Sequence, residues 1–235
     1  MVSQLANVKQ LSLPSVSLKV TYTVITTHFA LIGKSPGDSM SNESVVRYRI
    51  DAEDNISFVN EEWYLFAQTN DGAELMRPEI LGQSLWDSIT DPETCMIYQK
   101  IVARVREGRL ASFTLRCDGP ECRQLLEMKI SAVPDGSVEF ESRTIRVEDR
   151  EPMALLSRNI PRSTELLRVC AWCNRIDVGF GSNDWVEIED ATERLQLFEL
   201  AKLPQLTHAM CAACLESMTD QVDKLNEDVE SGFTV

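Results

Sequence analysis

Alternation of apolar and polar residues begins at Val45. Val46, Tyr48 and Ile50 are interleaved with Arg47 and Arg49, the period-two pattern of a strand with one buried face. Asp51-Ala52-Glu53-Asp54-Asn55 is a run of turn formers, after which Ile56 and Phe58 restart the alternation, so residues 45–59 read as a hairpin. Asn60 suits an N-cap, with Glu61 and Glu62 favourably placed in the first turn. Trp63, Phe66 and Ala67 give that short helix one apolar face, and Thr69-Asn70-Asp71-Gly72 stops it. Asp91 and Pro92 open a longer helix whose apolar stripe is Ile97, Ile101, Val102 and Val105, with Gly108 as its terminator. Three alternating runs follow: Phe113 and Leu115; Leu126, Met128, Ile130 and Ala132; then Val138 and Phe140 after the turn Pro134-Asp135-Gly136. Two strands, a helical insert and three strands predict a five-stranded antiparallel sheet with helices on one face, an α+β layer.

In this order, RIDAEDNISFVN (49–60) running into a helix and LGQSLWDSI (81–89) resemble a PAS domain over about residues 43–148. The second segment is similar to that family's "GxSLWDxI" stretch before its long helix. The resemblance implies a sensory or interaction module, with a possible small-molecule ligand of unknown identity, and it does not imply an enzyme. It also trims the cofactor options. The flavin-thiol subgroup carries a GxNCRFLQ segment that this chain lacks, and no His lies between Val45 and Val147 to serve as an axial haem ligand. Trp63, Trp86 and Met128 read as core packing. PAS-like domains often pair through the outer sheet face or an N-terminal flank, so a homodimer or a signalling protein partner is expected.

Composition narrows the classes further. Lys and Arg total 23 against 37 Asp and Glu, a net charge of −14, which argues against nucleic acid or an anionic membrane as partner. No apolar run reaches the roughly 18 residues of a spanning helix. The N-terminus, with Val20–Gly33 apolar but interrupted by Thr and His, lacks the basic start and clean core of a secretory signal. Residues 1–42 read as a flexible extension, and Met40 is a candidate alternative start. Residues 149–164, with two prolines and mixed charge, read as a linker.

The chemistry lies in the cysteines. Of seven, Cys95 stands alone, Cys117 and Cys122 flank an expected hairpin tip, and four form two C-x-x-C pairs, Cys170/Cys173 and Cys211/Cys214. An odd total and short paired spacings point to a reducing, cytoplasmic setting rather than a disulfide framework. Two side chains on one knuckle reach one ion, and four thiolates meet the tetrahedral demand of a structural site, softness favouring zinc or an iron–sulfur cluster. His208, three residues before Cys211, is a neighbour or substitute ligand. Two other readings stay open: a thiol oxidoreductase or redox switch using the pairs, and a small core of reduced thiols. The first lacks the βαβ context of a thioredoxin-like motif. Within the 34-residue gap (174–207), Asp184–Ile188 reads as a strand and Ala191–Leu200 as a helix; Glu165–Val169 reads as the end of a helix. A small, mostly helical Cys/His module over 165–218 is the expectation, with 219–235 an acidic tail that starts as a fraying helix.

This module resembles a segment found after PAS and receiver domains in bacterial signalling proteins, of the form CxWC(K/N)(K/R)I…W…E…SHGxCPxC. Here it stands as CAWCNRI (170–176), Trp185-Val186-Glu187 and LTHAMCAAC (206–214), departing at Ala209 and at Ala212-Ala213. No GxxxxGK[ST], GxSxG, HExxH or GxGxxG motif occurs. No catalytic residue is assigned, and a sensor or adaptor acting through a partner is the expected function.

Overall fold

The computed structural model describes residues 45–69, 80–157 and 160–227; the apolar stretch Val20–Gly33, Met40 and the last eight residues of the expected tail lie outside them. Strands β1 (Val45–Ile50), β2 (Ile56–Val59), β3 (Ala111–Arg116), β4 (Cys122–Ala132) and β5 (Val138–Asp149) form one antiparallel sheet in the order β2-β1-β5-β4-β3. Helices α1 (Glu61–Thr69) and α2 (Pro92–Arg106) are inserted between β2 and β3. This is the five-stranded α+β arrangement that the residue pattern predicts. The Asn60 side chain accepts from Trp63 N at 3.1 Å and from Arg47 N at 3.0 Å, so the cap also ties α1 to β1. Asp91 caps α2 through Thr94 N at 2.8 Å, Pro92 sits in its first turn, and Gly108 follows its end at φ +90°, a left-handed position that costs glycine little.

The buried face carries Tyr48 stacked on Phe140 at 4.5 Å, Trp63 edge-on to Tyr48, and Leu126, Met128 and Ile130, all closed by Ile97, Ile101 and Val105 of α2. One expectation is corrected here. Phe58 does not continue the inward alternation: β2 buries Ile56 and Val59, and Phe58 lies outward under the Arg49 guanidinium at 5.0 Å. The opposite face is ionic. Arg47 pairs with Glu141 at 2.9 Å and Arg49 with Glu139 at 2.7 Å, each directly across the β1–β5 ladder.

A second sheet follows, ordered β8-β7-β6-β9, from β6 (Arg162–Cys170), β7 (Ile176–Asp177), β8 (Trp185–Val186) and β9 (Leu203–Ala209). Its β6 and β9 run parallel. Leu167, Val169 and Ile176 pack against Ile188 and Ala191 of α3 (Ile188–Arg194), with Leu155 and Leu197 from flanking 3-10 turns. The expectation of a mostly helical module, with a helix ending at Val169, is therefore corrected: Glu165–Val169 lies inside β6, which buries Leu167 and Val169 and exposes Leu166 and Arg168. The C-terminal stretch expected to be a fraying helix and tail is helical over its described residues. Residues 219–227 continue α4 (Ala212–Glu227), whose Met218 and Val222 are buried. The residues read as a linker include a 3-10 turn at Ala154–Leu156 that buries Leu155, anchored by Met153 N donating to Pro120 O at 2.8 Å.

The two sheets share a core. Cys170, Trp172, Met210, Cys211, Met218 and Val222 belong to the same buried cluster as the residues between the first sheet and α2. Polar contacts reinforce the junction. Asp118, in the β3–β4 loop, is almost fully buried and pairs with Arg116 and, at 3.3 Å, with Arg150. Arg116 reaches Glu187 at 2.7 Å, while Arg123 and Arg150 both hold Glu189, at 2.6 and 2.9 Å.

Candidate metal centre

The parallel register of β6 and β9 sets Cys170 opposite Ala209, so both strands end side by side. Each then turns into a C-x-x-C knuckle. In the first, Asn174 N donates to Cys170 O at 3.0 Å and Cys170 N to Arg175 O at 2.7 Å. Asn174 closes the turn at φ +58°, a region its short amide side chain tolerates. In the second, Leu215 N donates to Cys211 O at 2.9 Å, which starts α4 with Cys214 one turn in. The positive end of that helix faces sulfur, which favours thiolate. Ala171 N donates to Ala209 O at 2.8 Å and locks one knuckle to the other.

The Sγ atoms of Cys170, Cys173, Cys211 and Cys214 all lie within 4.8 Å of one another. Cys173 Sγ and Cys211 Sγ are 3.8 Å apart. A tetrahedron of thiolates about 2.3 Å from a central ion has edges of about 3.8 Å, whereas a disulfide needs about 2.05 Å. The donor set therefore fits a soft tetrahedral ion. Cys211 N also donates to Cys170 Sγ at 3.4 Å, a contact that stabilises thiolate charge.

The protonation of the group points the same way. Hydrogen bonds from Cys170, Cys173 and Cys214 hold Cys211 far below the usual thiol range, and hydrogen bonding with Cys173 brings Cys170 down to about 7. Cys173 and Cys214 are pushed up, chiefly by hydrogen bonding with Cys170. Four sulfurs this close shed their last protons only when a cation takes their place.

His208, proposed as a neighbour or substitute ligand, sits on β9 opposite Val169 and is not among the grouped ligand atoms. Desolvation pulls its pKa down to about 4, against the opposing charges of Cys170 and Asp91, so its imidazole is neutral. Cys95 lies in the first turn of α2, its thiol raised by burial and by Asp91. Cys117 and Cys122 flank the β3–β4 loop as thiols, without a disulfide. The group thus draws together the two distant pairs and leaves the other three cysteines out.

Trp172, between the first two cysteines, was legible only as part of a motif. In the structure it is buried, with ring centroids 5.4 Å from Tyr98 and 5.3 Å from Phe113. Its carbonyl accepts from Arg116 N at 2.8 Å. Cys117 N turns inward to Gln124 O on β4, so its neighbour Arg116 N faces the outer edge of β3, where the knuckle meets it. The signal available in the sequence was the large aromatic itself, since a two-residue knuckle cannot bury an indole without a neighbouring surface. The junction residues Asp118, Arg150 and Glu189 carried no motif.

No family model matches the chain, and no curated protein matches it. Among solved structures, the PAS domain of the Cronobacter turicensis RpfR quorum-sensing receptor, in complex with C12:0, is 16% identical over 46% of this chain and 100% of its own, with a TM-score of 0.32. A fungal LOV domain photoreceptor is 15% identical over 48% of this chain and 83% of its own, with a TM-score of 0.28. Values this low assign no ligand or activity.

Proposed function

We propose that the chain is a PAS-type sensory or interaction protein of bacterial signal transduction, working in the cytoplasm through a protein partner or a second copy, and stabilised by one zinc ion held by Cys170, Cys173, Cys211 and Cys214. The observation that carries the metal reading is the convergence of two sequence-distant C-x-x-C pairs with a tetrahedral edge of 3.8 Å. Bound there, the ion neutralises thiolate charge and cross-links the ends of β6 and β9, supplying folding energy to a small sheet. The residues around it bind and orient; none is assigned a catalytic step. The sensory reading rests on the five-stranded sheet with its helical insert. Among the described residues, no helix is long and apolar enough to cross a membrane.

Anaerobic purification followed by elemental analysis and thiol titration tests the metal reading. About one zinc per chain, with four thiols becoming reactive after a chelator, is expected. Metal-free protein with a reversible disulfide between the pairs would instead establish a redox switch. Metal-free protein with four stable thiols would leave only a packed thiol core.

A further inference from the structure

We infer that the cysteine centre regulates the PAS-like half directly, through Trp172 and α4, so that ion occupancy sets the order of α2 and β3. This rests on the metal reading above and adds to it the element that receives the signal.

Each knuckle sends one anchor across the junction. The first carries Trp172, held between ligands Cys170 and Cys173, into the space between Tyr98 of α2 and Phe113 of β3. Its carbonyl also takes the outward amide of Arg116, the last residue of β3. The second opens α4, whose Met218, Val222 and Leu225 line a shallow groove with Ile101 of α2 and with Ala111 and Phe113 of β3. The edge of the five-stranded sheet is therefore covered by elements whose starting points are the ligands themselves. The hairpin β1–β2 lies at the opposite edge of that sheet, with β5 and β4 between.

The consequence is directional. When the ion leaves, four crowded thiolates must separate or reprotonate, and the knuckle backbones lose their common tether. Trp172 then has no fixed position between its aromatic partners, and α4 has no fixed start. Loss of order passes to α2 and β3, where those anchors are seated, and reaches β1 and β2 last. Local opening of this kind is read by amide exchange.

The experiment is hydrogen exchange on the full chain, zinc-loaded and then stripped with a chelator, with metal content measured in both samples. Residues 92–106 and 111–116 are expected to exchange at least about tenfold faster on stripping, with 45–59 nearly unchanged. Trp172→Ala, loaded to the same zinc content, is expected to show fast exchange at 111–116 with the ion still present. Trp172→Phe is expected to keep the zinc-dependent difference, because Trp172 Nε1 is buried without a hydrogen-bond partner and only ring area is lost. If Trp172→Ala fails to fold, the wild-type comparison and Trp172→Phe still decide. A chain that binds zinc but changes only beyond residue 160 on stripping overturns this inference and leaves the metal site standing. A chain that binds no zinc overturns both.

Discussion

The two sheets hold their strands together by different means. In the five-stranded sheet, β1–β2, β3–β4 and β4–β5 are each joined by a short connection, and only β1–β5 closes over a long span. Its interior holds Tyr48, Phe140, Trp63 and Met128 with the whole apolar stripe of α2. In the four-stranded sheet, the pair β6–β9 at one end is parallel, and residues 171–202 must fold back before it can form. Closing that loop costs entropy before any contact offsets it. The core available in return is small: Leu167, Val169, Ile176, Ile188, Leu197 and a few neighbours. A sheet so poorly endowed would gain most from the proposed cross-link, and the thiols converge where β6 and β9 end.

The widest difference between the sheets is expected on losing that cross-link. On the proposed metal reading, Cys211→Ser removes one ligand and should destabilise the four-stranded sheet by several kcal/mol, since the binding energy of a structural ion is folding energy. Exchange at β6 and β9 amides, or protease cleavage within 171–202, measures it. Because Trp172 and Met218 are shared with the first core, the damage should extend to α2 and β3 rather than stop at residues 149–164. Cys95→Ser, outside the cluster, should change stability by less than about 1 kcal/mol. Equal effects of the two substitutions would remove the cross-link from the account.

Much of the first sheet was legible because each signal was local. The Asp91-Pro92 start, the Gly108 stop and the alternation through Leu126–Ala132 depend on neighbours within a few residues. The second sheet was not, because its signals are non-local or ambiguous. Leu166, Leu167 and Val169 fit a helical turn as well as a strand, and only pairing with β9 and β7 decides for strand. The C-terminal stretch read as a fraying helix and tail, but its acidic composition gave no sign that Met218, Val222 and Leu225 pack beside Ile101 of α2 and Phe113 of β3. The cysteine group was legible as two knuckles. What spacing could not show is the parallel register that brings them together across 34 residues and leaves His208 out of the group.

Two substitutions at the junction rank next. Trp172→Ala truncates a buried indole between Tyr98 and Phe113 and should cost about 3–5 kcal/mol. Asp118→Ala leaves Arg116 and the almost fully buried Arg150 without their shared carboxylate, at a cost of about 3 kcal/mol. Urea unfolding followed by signals from each sheet distinguishes a shared core from two independent ones. One coincident transition is expected for the wild type, and in each variant the signals of the four-stranded sheet and of α2 and β3 should move to lower urea together, ahead of β1 and β2. A variant that moves only the four-stranded signal would show the sheets unfolding independently.

The smallest effect is expected on the outer face of the five-stranded sheet, and its size tests whether that face is free. Arg47 and Glu141 form an ion pair at 2.9 Å with side chains 45% and 27% exposed. Such pairs contribute about 0–1 kcal/mol, because water screens them and two long side chains lose freedom in making them. Arg47→Ala, Glu141→Ala and the double variant, compared in a thermodynamic cycle, should give a coupling below about 1 kcal/mol that shrinks in salt. The same cycle reads association. If a second copy docks against this face, the pair is desolvated in the dimer, and the coupling grows with protein concentration. A coupling that is small and independent of concentration keeps the face in solvent and moves the search for a dimer contact to another surface. Light scattering over the same concentration range divides the constant-coupling outcome in two: a mass that stays at one chain means that no dimer forms, and a mass that doubles places the dimer contact on another surface.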